Sequence, residues 1–148
     1  MRVWDVWHGE RMTSMAATVV ERADTVVRYV EVADDLTQIR VAWPTLESAV
    51  GSLRGRRFVA AFDPVQGWYR ACVESRDDAT AAERDLPVMV IPGGRFMRIR
   101  LRGEPPGLYD EIAPAYELLE SSAERDDSRP SLEHYRRLDE IDVLMPVT

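Results

Sequence analysis

The order of extended and helical segments repeats once along the chain, and this repeat constrains the fold more than any other feature. The first copy predicts, in order, a strand at Thr25–Val32, a helix at 43–53, and strands at 57–62 and 68–74. Pro44 suits the first position of that helix, because proline lacks the N–H that the first turn leaves unpaired. Gly55 is placed to end it. The first copy is therefore strand, helix, strand, strand.

The second copy follows a charged, alanine-rich linker at 76–85, which has room for one helical turn. It comprises extended segments at 86–91 and 95–101, a helical region opening at Pro105–Gly107, and a closing hairpin at 129–148. Pro114 must kink the second helix or restart it. A short local echo supports the repeat, since Ala42–Glu47 resembles Ala113–Leu118.

The repeat predicts an α+β fold in which duplicated β-α-β-β halves form one antiparallel sheet with two main helices. Such a duplication leaves a cleft where the halves meet, and ligand pockets favour such junctions. We expect residues 1–18 to be an N-terminal extension, which carries Trp4 and Trp7, and residues 19–148 to be the single domain.

Composition excludes several classes of function. All 19 basic residues are arginine, the net charge is −7, and no basic run occurs, so direct nucleic-acid binding is not expected. The single cysteine, Cys72, permits no internal disulfide and suits a reducing cytoplasm, where we expect the protein to reside. The sequence shows no membrane span, signal peptide, metal-ligand spacing or phosphate loop, so no metal, cofactor or membrane is expected. The oligomeric state is open.

The closing hairpin carries the strongest candidate for a functional residue. Side chains alternate along a strand, so Glu133 and Tyr135 share one face and His134 lies on the other. A carboxylate beside an aromatic ring suits a ligand that is both flat and cationic. The alternative is a solvated carboxylate paired with Arg136 or Arg57.

Several short motifs resemble the GyrI-like small-molecule-binding domain, which also serves as the effector-binding part of some AraC-type and MerR-type regulators. The matching residues are Trp43, Gly55–Phe58, Asp63–Pro64, Trp68–Tyr69, Ile91–Phe96, Glu133–Tyr135 and 141–147. The resemblance runs from about residue 19 to the C-terminus and implies a stand-alone member. It also implies that Glu133, in the penultimate strand, contacts the cationic part of lipophilic drugs.

The candidate ligand-binding residues are Glu133, Tyr135, Trp43, Tyr69, Trp68, Tyr116 and Glu117. The aromatic side chains would form the walls of the cleft, because ring faces attract cations, although core packing is the alternative for each. Tyr109 is a further possible wall. Trp68 and Tyr69 are adjacent on one strand and face opposite ways, so at most one can line the cleft. Glu117 would add a second carboxylate; its alternative is a solvated helix position.

These observations predict a protein that binds amphipathic, aromatic, cationic small molecules, for drug sensing or sequestration. One alternative, also implied by the resemblance, is a hydrolase that detoxifies reactive cyclopropane-type natural products. Glu133 would then orient water or act as general base and Tyr135 would polarise a carbonyl oxygen. A second alternative is an interaction module that inhibits DNA gyrase.

Overall fold

Eight antiparallel strands form one sheet in the order β1-β6-β8-β7-β3-β4-β2-β5 in the computed structural model, which describes residues 16–148. The strands are β1 (Ala17–Arg22), β2 (Thr25–Ala33), β3 (Phe58–Asp63), β4 (Trp68–Glu74), β5 (Val88–Ile91), β6 (Gly94–Arg102), β7 (Ser131–Arg137) and β8 (Glu140–Pro146). The helices are α1 (Leu36–Val50), α2 (Ala81–Arg84) and α3 (Ile112–Ser122). The extension predicted to carry Trp4 and Trp7 lies mostly outside the described residues.

The order of the strands shows the internal duplication directly. One half supplies β1, β2, α1, β3 and β4, and the other supplies β5, β6, α3, β7 and β8. If each strand is replaced by its counterpart in the other half, the result is the same strand order read from the opposite edge of the sheet. The centre of this pseudo-twofold lies between β3 and β7, where Ala60 pairs with Glu133. The predicted α+β duplication is confirmed. The strand β1, which the sequence analysis did not assign, completes the first half.

The sheet curls because two very short connections join strands from its opposite margins. Ala23–Asp24 links β1 to β2, and Pro92–Gly93 links β5 to β6. The two connections touch, since the amide N–H of Gly93 donates to Asp24 Oδ1 at 2.7 Å. A Cβ atom at Gly93 would lie 2.4 Å from the carbonyl oxygen of Arg22, so only glycine fits there.

The helices cover one face of the sheet, which we call the helix face. The helix α1 packs on β2 and β4 of its own half, and α3 packs on β6 and β8 of the other. Each helix buries its own apolar cluster, and the central strands β3 and β7 lie between the two helices. The opposite face, the far face, curls around a third apolar cluster that includes Ile91, Phe96 and Leu132.

The first helix differs from its prediction at both ends. It begins at Leu36, after Asp35, whose side chain accepts a hydrogen bond from the N–H of Gln38, so the predicted start at Trp43–Pro44 is wrong. It ends at Gly51, whose φ is 79°, so Gly55 is not the residue that stops it. The apolar spacing continues upstream of Pro44 to Ile39, and burial of this face outweighs the proline's missing hydrogen bond.

The second helix restarts just before Pro114, which is one of the two outcomes predicted for this proline. A 3₁₀ turn at Gly107–Glu111 leads into α3, and Pro114 then falls in the first turn of the α-helix. A missing N–H is tolerated at that position, because the first turn has no carbonyl partner for it.

The linker at 76–85 forms the short helix α2, which holds an ion pair that the sequence did not reveal. Thr80 caps this helix by accepting the N–H of Glu83 at 3.1 Å. The Glu83 side chain is fully buried and accepts two hydrogen bonds from Arg56, at 2.7 and 2.6 Å. The pair anchors the linker to the loop between α1 and β3.

Candidate functional site

Glu133 lies at the junction of the two halves, on the helix face. Its cross-strand neighbours are Ala60 on β3 and Val143 on β8, both fully buried and apolar. The pseudo-twofold relates Glu133 to Ala60, so the second half carries a carboxylate where the first half carries a methyl group. One acidic side chain thus lies between two apolar cross-strand neighbours at the centre of the sheet.

Among the described residues, one group donates a hydrogen bond to the Glu133 carboxylate, the hydroxyl of Tyr135, which lies 2.7 Å from its Oε1 atom. Burial raises the pKa of Glu133 from 4.5 to about 7, because an apolar setting disfavours the charged form. The Tyr135 hydrogen bond lowers the pKa, and the charge of Asp34 raises it further. The carboxyl group therefore changes its charge near neutral pH.

No basic side chain in residues 16–148 forms an ion pair with Glu133. The guanidinium of Arg136 lies 2.7 Å from Glu140 instead. Arg57 is exposed on the approach to β3. The alternative in which Glu133 is a solvated partner of either arginine is therefore wrong for the part of the chain described.

Three predicted aromatic side chains gather around Glu133, and each is held by the others. The Trp43 ring meets Tyr135 edge to face with centroids 5.3 Å apart, and its indole N–H donates to the Tyr69 hydroxyl at 2.8 Å. Phe58, which the sequence analysis did not single out, lies 6.2 Å from Trp43. Burial, with the charge of Glu133, raises the pKa values of Tyr69 and Tyr135, so both phenols are proton donors at neutral pH.

Tyr116 closes the other side of the cleft from α3. Its hydroxyl lies 2.5 Å from Ser131 Oγ, and its ring meets Phe62 edge to face at 5.2 Å. Ser131 lies on the same strand face as Glu133. Tyr116 and Tyr135 each contact the apolar clusters of both halves. The two tyrosines therefore span the junction at which Glu133 lies.

Three predicted residues lie elsewhere. Trp68 is on the far face, where the guanidinium of Arg70 lies 4.3 Å from its ring centroid, so only Tyr69 of that adjacent pair lies on the helix face. Glu117 is exposed on α3. Tyr109 is 47% exposed in the 3₁₀ turn. The structure brings none of the three to Glu133.

Phe58, Phe62 and Ser131 are the members of the site that sequence reasoning missed. A signal for the two phenylalanines was present, because they alternate with Ala60 along β3 and so had to share a face. Pairing of β3 with β7 places them opposite Tyr135 and Ser131. That pairing joins the two halves, and local sequence patterns do not specify it.

Other kinds of site receive no support from residues 16–148. No group of histidine, cysteine, aspartate and glutamate side chains among them could hold a metal ion. None of the helices in this part of the chain combines the length and the apolar character needed to cross a membrane.

Comparison with solved structures identifies the fold. SAV2435 bound to tetraphenylphosphonium has a TM-score of 0.62 at 14% identity, over 90% of this chain and 94% of that one. An integron cassette protein from the mobile metagenome of Vibrio cholerae gives 0.66 at 12% identity, over 89% and 95%. The C-terminal domain of EcmrR gives 0.60 at 14% identity, over 92% and 99%. No protein-family model and no curated protein sequence matches the chain.

These similarities confirm the sequence resemblance at the level of fold. The chain has a GyrI-like fold, with the curled antiparallel sheet and its helices shared across nearly the full length of each comparison. At such low identity, the residues of the site must be argued from their own geometry.

Proposed function

We propose that the cleft between the halves binds a small organic cation with aromatic or other flat apolar groups, and that Glu133 supplies the counter-charge. The observation that carries this proposal is a half-buried carboxylate among aromatic rings with no cationic partner in residues 16–148. A desolvated carboxylate is costly unless it is protonated or paired, and an arriving cation would pair with it.

The surrounding side chains suit the rest of such a ligand. Trp43, Tyr69 and Tyr135 present rings whose faces attract positive charge, at about 0.5–2 kcal/mol for each ring. The phenol of Tyr135 keeps one carboxylate oxygen in place. Apolar burial would supply most of the affinity, and Glu133 would select for charge.

In this proposal the Trp43 side chain moves aside when the ligand enters. Its ring rests edge-on against Tyr135 and Phe58, and one hydrogen bond to Tyr69 fixes its indole nitrogen. The helix α1 that carries it packs on β2 and β4, so the side chain can rotate without displacing a central strand. A ligand ring would then replace these edge contacts with its own.

SAV2435 supports the choice of ligand, because that protein shares this fold and is bound to tetraphenylphosphonium, a lipophilic aromatic cation. We expect this chain to bind tetraphenylphosphonium more tightly than triphenylphosphine oxide, a neutral compound with similar rings. Isothermal titration calorimetry at pH 8, where Glu133 is mainly ionised, measures both affinities.

Paired glutamate variants test the role of Glu133. We expect Glu133→Gln to weaken the cation by about tenfold or more and to leave the neutral compound unchanged, since a charged partner contributes about 1–3 kcal/mol. Glu117→Gln removes the same charge from an exposed site on α3 and should change neither affinity by more than about twofold. Equal losses in the two variants, or equal losses for the two ligands, would contradict the proposal.

A hydrolase is the second candidate, because the pKa of Glu133, about 7, suits a general base and a phenol lies beside its carboxylate. A hydrolase from Listeria innocua also shares the fold, with a TM-score of 0.51 at 9% identity. Mass spectrometry after incubation with a cyclopropane-bearing electrophile separates the two functions. A product heavier by one water, formed faster with the wild type than with Glu133→Gln, supports the enzyme; an unchanged ligand retained by the protein supports binding.

A further inference from the structure

The far face holds a cavity of about 250 Å³ whose charge is opposite to that of the Glu133 cleft. It lies over β1, β6, β8 and β7. Its lining is polar apart from Val20 and Leu144, and the charged and titratable members are Glu21, Arg22, Arg98, Arg100, His134, Arg136 and Asp142. Four arginines therefore face two carboxylates.

The carboxylates near this cavity are already engaged. Asp142 accepts two hydrogen bonds from Arg100, at 2.8 and 3.1 Å. Glu140, just outside the lining, accepts from Arg136 at 2.7 Å and from Arg102 at 2.8 Å. Glu21 is largely exposed and lies 3.6 Å from Arg95. Two of the four lining arginines, Arg22 and Arg98, have no carboxylate partner within residues 16–148.

Both of these arginines are partly desolvated. The Nε atom of Arg98 is buried and has no hydrogen-bond partner among the described residues. Among the described residues, the Arg22 guanidinium has one hydrogen-bond partner, the ring nitrogen Nδ1 of His134, at 3.4 Å. Burial lowers the pKa of this guanidinium, and the charges of Glu74 and Asp142 act in the opposite direction. Burial and the charge of Arg22 lower the pKa of His134 to about 4, so the imidazole is neutral and adds no repulsion. A partly buried guanidinium that no described carboxylate hydrogen-bonds favours a bound anion.

We propose that this cavity, which we call the arginine cavity, binds a small ligand carrying a dianionic oxyanion group, either a phosphoryl group or a pair of carboxylates. The planar fork of arginine matches both kinds of group and forms two parallel hydrogen bonds with each. Val20 and Leu144 give a short apolar wall for the remainder of the ligand. The site is separate from the Glu133 cleft, because the sheet lies between them.

Calorimetric titration of the whole chain with pyrophosphate and, separately, with succinate tests this proposal at physiological ionic strength. We expect one of the two to bind, and its identity distinguishes a phosphoryl from a carboxylate ligand. Arg98→Gln should weaken that binding at least tenfold, since it removes charge-assisted hydrogen bonds to the anion. Arg40→Gln is the matched control, because it removes the same charge from an exposed position on α1, across the sheet.

A second readout locates the bound anion. His8→Gln leaves His134 as the only histidine, so its ring signals in a ¹H–¹⁵N NMR spectrum report on the cavity. We expect those signals to shift with saturating anion and not to shift when Arg98→Gln is added. If Arg98→Gln does not fold, Arg22→Gln takes its place. Failure of both anions to bind at about 10 mM, or equal weakening by Arg40→Gln, would overturn the proposal.

Discussion

Glu83 and Glu133 are both shielded from water, fully for Glu83 and partly for Glu133, yet their hydrogen-bond partners differ in charge. Glu83, in the linker helix α2, is fully buried and accepts two hydrogen bonds from Arg56 in the first half. Within residues 16–148, Glu133 accepts a hydrogen bond only from the neutral phenol of Tyr135. Arg56 neutralises the Glu83 carboxylate, whereas no basic side chain among the described residues pairs with the Glu133 carboxylate. A buried charge is thus structural where its partner is built in, and is a candidate site where the partner is missing.

The largest expected effect is a loss of stability when Glu83, the carboxylate paired with Arg56, is replaced. Glu83→Gln leaves the Arg56 guanidinium buried without its partner, so we expect the free energy of unfolding to fall by about 3–5 kcal/mol. Glu133→Gln should not destabilise the protein at pH 8, because it removes an unpaired charge. Urea denaturation of both variants measures the contrast. Similar losses in the two variants would show that Glu133 is also a structural charge.

The next effect is on how stability changes with pH. The folded pKa of Glu133 is about 7 and its ordinary value is 4.5, so the folded state holds the proton more tightly than the unfolded state. Stability should therefore fall as pH rises through this window, by up to about 3 kcal/mol from this group.

The difference in the free energy of unfolding between the wild type and Glu133→Gln, followed as a function of pH, isolates the contribution of Glu133. His134 acts in the opposite direction, because its folded pKa of about 4 lies below its ordinary 6.5, and its effect cancels in the comparison. Thermal or urea unfolding at several pH values gives both curves. Parallel curves for the two proteins would mean that the pKa of Glu133 is not raised.

Ligand affinity should change with pH by a smaller factor. A permanent cation such as tetraphenylphosphonium favours the ionised carboxylate, so we expect binding about tenfold tighter at pH 8 than at pH 5.5. Binding to Glu133→Gln should be independent of pH over that range. If the affinity of the wild type were as independent of pH as that of the variant, the charge of Glu133 would not contribute to binding of the cation.

The smallest effect is expected from Tyr135→Phe, which keeps the ring and removes the hydroxyl. The hydrogen bond from Tyr135 lowers the pKa of Glu133, so its loss should raise that pKa. Cation affinity at pH 7 should then fall by about twofold to fivefold, since less of the carboxylate is ionised. At pH 9 the two proteins should converge if the hydroxyl acts only through this pKa. A persistent gap would show that the phenol contacts the ligand directly.

Local sequence patterns predicted the duplicated fold and the side-chain orientations in the first strand of the closing hairpin. Strand alternation placed Glu133 and Tyr135 on one face and His134 on the other, and the structure confirms this through the contact of His134 with Arg22. The start of α1 was predicted wrongly, because Pro44 was taken as a beginning although the apolar spacing ran through it.

The features that the sequence did not predict depend on contacts between segments that are distant along the chain. Pairing of β3 with β7 brings Phe58 and Phe62 to the site, and pairing of β6 with β8 assembles the arginine cavity. The ion pair between Arg56 and Glu83 likewise joins a loop to a linker. Inhibition of DNA gyrase stays a prediction, as does the location of the protein in the cytoplasm.

We propose that the half-buried carboxylate of Glu133 stays without a cation until a ligand binds. NMR titration of ¹³C-labelled glutamate side chains, with Glu133→Gln to assign the signal, measures its pKa directly. We predict a pKa near 7 in the free protein and a pKa lowered by at least about one unit with tetraphenylphosphonium bound. An ordinary pKa in the free protein, or a pKa that the bound cation leaves unchanged, would contradict the account.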